Sequence, residues 1–274
     1  MTHIDLGGAR MKKKCFFVVG DKFNAFAEGK DVITLNQLKT LSDLPQGLMS
    51  SDAVMVLGQG VHEGEVRCIL QRYENGDEIV PFLDTSDLHR VLDRASGDIS
   101  HKKVAYNTLI GAPRRSADDV FELPLNIDER CELMGDHQSG QHVQGMILVE
   151  AFRQSFLAVT DAFFPFGDEA RYFVINVMNT EFQSFLFPLP AHVEYRILEA
   201  DVNARRARYK VSMSALQNDI ECASAEVTFS VYSASTISEK EAQLAHSVTS
   251  AMLASHQTTL ALPSTAQNGH GVTA

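Results

Sequence analysis

Glu150, Arg153 and Gln154 interrupt a run of otherwise mostly apolar residues over 145–163. Spacings of three and four residues put a guanidinium and an amide on the same helix face as the carboxylate. A helix that is apolar on most of its circumference is a buried helix, and a carboxylate there is costly unless it is paired or used. Just upstream, a polar loop carries Asp136, His137 and His142 before the helix starts at Gly145 and Met146. This set suits acid–base chemistry. Glu150 is the candidate base, since burial raises a carboxyl pKa, while a cationic Arg153 opposes that shift and leaves the net direction open. His142 or His137 is the candidate acid, or a group that orients the substrate. The backbone amides at Gly145 and Met146 are candidates for holding an oxyanion at a helix start. The competing reading makes Glu150, Arg153 and Gln154 an internal ion pair and amide that tie the helix to its sheet. Asp136 is then a loop cap and His137 a loop residue.

The elements that must position this helix follow from the hydropathy pattern. Residues 15–19, 31–35, 53–57 and 78–83 form short strand candidates, with helices expected at 62–73 and 86–95. That alternation predicts parallel βαβ units. Gly58-Gln59-Gly60 closes the third strand and reads chiefly as a tight turn, with an anion-cradling turn as the alternative. After Ser96-Gly97-Asp98 the pattern changes. Strands are expected at 101–110 and 120–127, with a turn at 111–115. The long helix at 145–163 precedes strands at 172–187 (bent), 192–199, 206–217 and 220–232. Asn218-Asp219 supplies a hairpin turn. One long apolar helix against one curved antiparallel sheet is an α+β solution. The expected organisation is a small α/β unit over 1–98, the helix-and-sheet unit over 99–235, a terminal helix over 236–256 and a polar, disordered tail over 257–274.

Composition excludes several classes. A net charge of −11 over 274 residues argues against nonspecific binding to nucleic acid or an anionic membrane. No apolar run is long enough to span a bilayer. Cys15, Cys68, Cys131 and Cys222 are scattered without metal-ligand spacing, which predicts reduced thiols, no metal and a cytoplasmic protein. No cofactor-binding pattern is present. Cys131 reads as a loop thiol without a role. Arg114 and Arg115 read as solvated turn residues, or alternatively as contacts for a phosphopantetheine arm.

The segment from His142 to Gln154 resembles the H-V-P-G-M-x-L-x-E-A-x-R-Q signature of the A-factor biosynthesis (AfsA-type) hotdog proteins. Every defined position is present except one, where Gln144 replaces proline. His101-Lys102, Pro113-Arg114-Arg115 and Asp136-His137 also resemble that family. The resemblance covers about residues 100–233 and implies a hotdog fold, a long helix wrapped by an antiparallel sheet, here preceded by the small α/β unit. The family's signalling-molecule synthases look like two hotdog units in one chain. Only one is visible here, so a homodimer with sites at its interface is expected.

The resemblance further implies work on acyl thioesters of acyl carrier protein or coenzyme A. In that branch a β-ketoacyl group passes to the hydroxyl of a phosphorylated glycerol-type acceptor on the way to a butenolide. Glu150, His142 and His137 would then be catalytic. Arg153, Gln154, Gly145, Met146 and Asp136 would bind substrate, Arg153 through a phosphate. Alternatives are a hotdog 3-hydroxyacyl-thioester dehydratase or thioesterase, and a non-catalytic module that binds an acyl chain or carrier protein. The phenylalanine-rich run 182–187 suits an acyl tunnel in each case.

Overall fold

A computed structural model of the chain describes residues 13–43, 53–74, 83–135, 138–167 and 170–261. The apolar run after the N-terminal lysines forms β1 (Lys14–Val19), the inner strand of a small parallel sheet. A 3-10 turn and one helical turn, α1 (Asn24–Ala27), lead to β2 (Val32–Thr34), which pairs with β1. Helix α2 (Leu35–Ser42) opens on a capping box: the Gln37 amide donates to the Thr34 hydroxyl and the Thr34 amide to Gln37 Oε1. This helix was not anticipated, because only Leu35, Leu38 and Leu41 carry its apolar periodicity. β3 (Ala53–Leu57) lies on the other side of β1, followed by α3 (Glu63–Glu74) and β4 (Leu83–Asp84), giving the order β2-β1-β3-β4. Most of the expected strand at 78–83 lies outside the described residues. The helix expected at 86–95 is a 3-10 helix over Ser86–Asp93.

The expected strand at 101–110 is not one. One helical turn, α4 (Gly97–Ser100), ends at His101 in a left-handed conformation (φ 55°), and a 3-10 turn covers Ala105–Asn107. Side chains override the local β pattern here. Lys102 and His101 reach carboxylates on the long helix, and the amide of Gln154 holds the backbone of Asn107 and Leu109. The turn expected at 111–115 is also revised: Arg114 and Arg115 belong to β5 (Arg114–Ala117), antiparallel to β6 (Val120–Pro124).

The second sheet is the wrapper. Helix α5 (Gly145–Phe163) lies against β7 (Arg171–Phe182), β8 (His192–Val202), β9 (Ala207–Gln217) and β10 (Ile220–Ser233), in the sheet order β5-β6-β8-β9-β10-β7. The inward residues alternate as a half-buried strand requires: Tyr209, Val211 and Met213 on β9, and Val227, Phe229 and Val231 on β10. Phe156 of α5 stacks on Phe229 at 4.5 Å between ring centroids. Asn218 and Asp219 both take positive φ, as a tight two-residue hairpin demands. This is the hotdog arrangement. β7 is shorter than the expected 172–187. Beyond Phe182 the chain leaves the sheet and Gln217 pins it, accepting from the Phe187 amide and donating to the Phe187 carbonyl. The described residues end in a long helix, α6 (Ala234–Ala261), which runs past the expected end at 256 into the expected tail. Residues 262–274 of the expected tail lie outside the described residues.

Gly58-Gln59-Gly60 joins the two sheets and holds no anion. Its three backbone amides donate to the carbonyls of Val18, Pro188 and Ile127. A Cβ on Gly20 would stand 2.0 Å from the Gly60 carbonyl oxygen, so this crossing needs glycine. Gln59 is 2% exposed; its side chain donates to the Leu125 carbonyl and accepts from the Ile127 amide. Val19, Phe23, Phe26, Ala27 and Val32 accordingly share one apolar core with α5 and the hotdog sheet. Gln59→Ala leaves a buried carbonyl and a buried amide without partners. It is expected to lower unfolding stability by about 2–4 kcal/mol in urea titration, whereas Gln37→Ala, on the surface capping box, is expected to cost about 1 kcal/mol.

Candidate functional site

Glu150 sits half-buried on α5 and accepts four hydrogen bonds. Arg153 grips it through both oxygens, Nε to Oε2 at 2.7 Å and Nη2 to Oε1 at 2.9 Å. Lys102 Nζ stands 2.7 Å from Oε1 and Gln154 Nε2 donates to the same oxygen at 3.0 Å. Desolvation pushes the carboxyl pKa up, but the hydrogen bonds from Arg153, Lys102 and Gln154 and the charge of Arg153 outweigh it and hold the group at about 2. The direction left open by the sequence is therefore downward. A carboxylate this stabilised is a poor general base near neutrality, which weighs against the base role expected of Glu150. Its contacts hold Lys102 and Arg153 in place.

Gln154 is 0% exposed. Besides Glu150 it donates to the Asn107 carbonyl at 2.9 Å and accepts from the Leu109 amide at 2.8 Å. Both amide hydrogens and one acceptor site of its oxygen are engaged within the protein, so it clamps the 107–109 backbone. Arg94 supports the same segment from behind, donating to the Thr108 carbonyl and to the carbonyl and side-chain oxygens of Asn126.

Two cavities flank the first turn of α5. One, of about 230 Å³, is lined by Lys102, Asn107, Cys131, Met146, Val149 and Glu150, among others. Burial pushes the Cys131 thiol pKa up, so it is no ready nucleophile. The other, of about 550 Å³, is mainly apolar and lined by His142, Gly145, Leu148, Phe182, Phe185 and Leu186, among others. His142 lies against the Phe185 ring, 4.4 Å between centroids, with Nδ1 3.3 Å from the Ser139 hydroxyl. A Cβ on Gly145 would stand 3.0 Å from the Phe182 ring, a tight contact that the exposed ring would have to yield to. His142 and Glu150 thus line different cavities, with Gly145 facing the larger and Met146 the smaller. Asp136 and His137 lie outside the described residues.

Sequence reasoning gave no role to Lys102 or to a second cluster. His101 Nε2 stands 2.8 Å from Asp161 Oδ2, and Arg171 Nη2 3.1 Å from Asp161 Oδ1. Asp161 follows Glu150 by eleven residues, three helical turns, so both acids share a face of α5. An acid recurring on the polar side of an apolar helix was the available signal. Among the described residues no cluster of His, Cys, Asp or Glu could hold a metal ion, and no helix is long and apolar enough to cross a membrane.

Residues 83–233 match the family model of the A-factor biosynthesis hotdog domain. No curated protein matches the chain in sequence. Similar solved structures include a thioesterase from Haemophilus influenzae (11% identity, covering 54% of this chain and 90% of that one, TM-score 0.34). A mutant thioesterase from Pseudomonas aeruginosa is 15% identical, covering 54% of this chain and 94% of that one, with a TM-score of 0.32. A conserved protein from the same organism is 19% identical over 47% and 94%, with a TM-score of 0.33.

The depressed Glu150 pKa sets a pH window for stability. A carboxyl lowered on folding contributes stability that is fully present above its ordinary value of 4.5 and is lost as pH falls toward about 2. Carboxyl carbon-13 titration is expected to place Glu150 near 2 in the wild type and higher in Lys102→Met. A Glu150 midpoint above 4.5 in the wild type would contradict the geometry.

Proposed function

Because this chain belongs to the A-factor biosynthesis hotdog domain family, we propose that it transfers a β-ketoacyl group from a carrier-protein or coenzyme A thioester to the hydroxyl of a phosphorylated acceptor. The observation that carries this reading is the pair of cavities flanking the first turn of α5, one lined by phenylalanines and a histidine, the other carrying Lys102 and Glu150. The acyl chain occupies the apolar cavity against Phe182, Phe185 and Leu148. The thioester carbonyl lies at the Gly145 and Met146 amides, where the helix dipole favours a developing oxyanion. Lys102, posed by Glu150 with Arg153 beside it, attracts the acceptor's phosphate.

In this scheme the acceptor oxygen attacks the thioester carbon while His142 takes the hydroxyl proton. The tetrahedral intermediate collapses, the C–S bond breaks, and the proton passes from His142 to the departing thiolate, leaving an ester and a free thiol. The order of proton transfers fits a neutral histidine at the start and needs no proton from Glu150. A dehydratase of 3-hydroxyacyl thioesters fits less well, since it asks a helix-borne acid to trade a proton and Glu150 is held ionised. A non-catalytic acyl or carrier-protein binder is the second reading, favoured by the engagement of Glu150 and Gln154 within the protein.

The protein is read as a homodimer. β7 is an edge strand of its sheet, and Ile175, Val177, Phe182 and Phe185 near it are exposed apolar residues that a second copy would cover.

Incubation with 3-oxoacyl and 3-hydroxyacyl thioesters, with and without dihydroxyacetone phosphate, tests the reading by mass spectrometry of the products. An ester that forms only with the acceptor is expected, with turnover reduced about 100-fold or more in His142→Ala. Lys102→Met is expected to raise the acceptor KM more than it lowers kcat. Free acid or enoyl product without acceptor would replace the transferase with a thioesterase or dehydratase. Bound acyl ligand without turnover would favour the binder.

A further inference from the structure

Helix α6 has a second face that the body of its own chain does not use. It begins against β10 and β7: the Ala234 amide donates to the Ala170 carbonyl, Ile237 is buried, and the Tyr172 hydroxyl donates to Glu241 at 3.0 Å. From 238 to 257 every side chain is exposed. The helix is 28 residues long, about 42 Å at 1.5 Å per residue, so most of it stands clear of the body. In proteins most helical stability comes from packing of an apolar face rather than from propensity.

The large exposed apolar residues of the helix are Leu244, Val248, Met252 and Leu253. At 100° per residue, Leu244, Val248 and Met252 fall in the same sector of about 100° as Ile237, and Leu253 alone lies on the other side. The stripe is therefore the continuation, past the edge of the body, of the face that packs at the helix base. Each of the three is at least 56% exposed. No Asp, Glu, Lys or Arg follows Glu241 in the chain, so the overhang offers nothing to an anionic membrane or to a charged partner. An uncharged apolar stripe is, by contrast, self-complementary under two-fold symmetry. Its base is fixed to Tyr172 at the start of β7, the strand whose Ile175 and Val177 are exposed.

We propose that α6 is a dimerisation arm, whose Leu244–Val248–Met252 stripe packs against a second copy of this chain. The inference rests on the homodimer reading and adds to it the element that does the holding. An arm that crosses to the partner lengthens the interface without altering either cavity. The two functions then separate: the hotdog sheet and α5 shape the site, and α6 sets the lifetime of the assembly around it.

Sedimentation equilibrium of the full chain tests this, comparing the wild type with Leu244→Asp/Val248→Asp and with His246→Asp, which puts one aspartate on the opposite face. The wild type and His246→Asp are expected to be dimers, and the stripe variant to dimerise at least 10-fold more weakly. Far-UV circular dichroism and melting of the body confirm that the stripe variant is folded. An unchanged dimer in the stripe variant overturns the arm and leaves the homodimer standing. A monomeric wild type overturns both. Flotation of monomeric wild type with phosphatidylcholine vesicles, lost in the stripe variant, overturns the arm in favour of a lipid surface.

Discussion

One carboxylate organises the centre of this molecule. Glu150 is held ionised on an apolar helix by a lysine, an arginine and a glutamine, and none of the four could sit there alone. Desolvation opposes the charge, and only the density of donors around both oxygens reverses it. The consequence runs outward along the chain. Lys102 is drawn in from the 97–108 segment, Gln154 is oriented toward the backbone of Asn107 and Leu109, and that segment is laid over α5 where a strand would otherwise form. The cavity lined by Lys102 and Glu150 is walled by this segment and the helix, which the cluster fastens together.

The second constraint is the seam between the parallel sheet and the hotdog. In open α/β sheets the crevice beyond the carboxyl ends of the strands is the usual place for a ligand. Here the loops after β1 and β3 meet the hotdog's own backbone instead, through Gly20, Gln59 and Gly60. The Phe26 ring stacks on Phe187, 5.5 Å between centroids, and Gln141 donates to the Ala25 carbonyl. The N-terminal sheet thus buttresses the two loops that carry His142 and Phe185, and its influence on the apolar cavity is mechanical.

The fold was legible wherever a two-residue or helical periodicity ran long enough to dominate. Alternation in Tyr209–Met213 and Val227–Val231 gave the sheet, and the apolar run from Ile147 to Val159 gave its buried helix. Failures came where side chains, not periodicity, decide the backbone. Residues 101–110 have the composition of a strand, yet His101, Lys102, Asn107 and Leu109 are each claimed by α5. The membership of Glu150, Arg153 and Gln154 in one polar cluster could be read from their spacing. Their protonation and their partners could not, because Lys102 lies 48 residues away in the chain and the pKa depends on which of burial or donors prevails. The position of His142 across the helix turn from Glu150 was likewise hidden: adjacency in sequence says nothing of which side of a helix start a loop residue takes.

Helix α5 serves as a platform whose carboxylate holds cations, and the proposed proton transfer falls to the histidine before it. The coupling between Glu150 and Lys102 is measured by a double-mutant cycle on unfolding free energy at pH 7, using Glu150→Gln, Lys102→Met and the pair. A coupling of about 1–3 kcal/mol is expected, with the double variant more stable than the sum of the single losses implies. Additivity within about 0.5 kcal/mol would show that the two groups do not hold one another, and would contradict it.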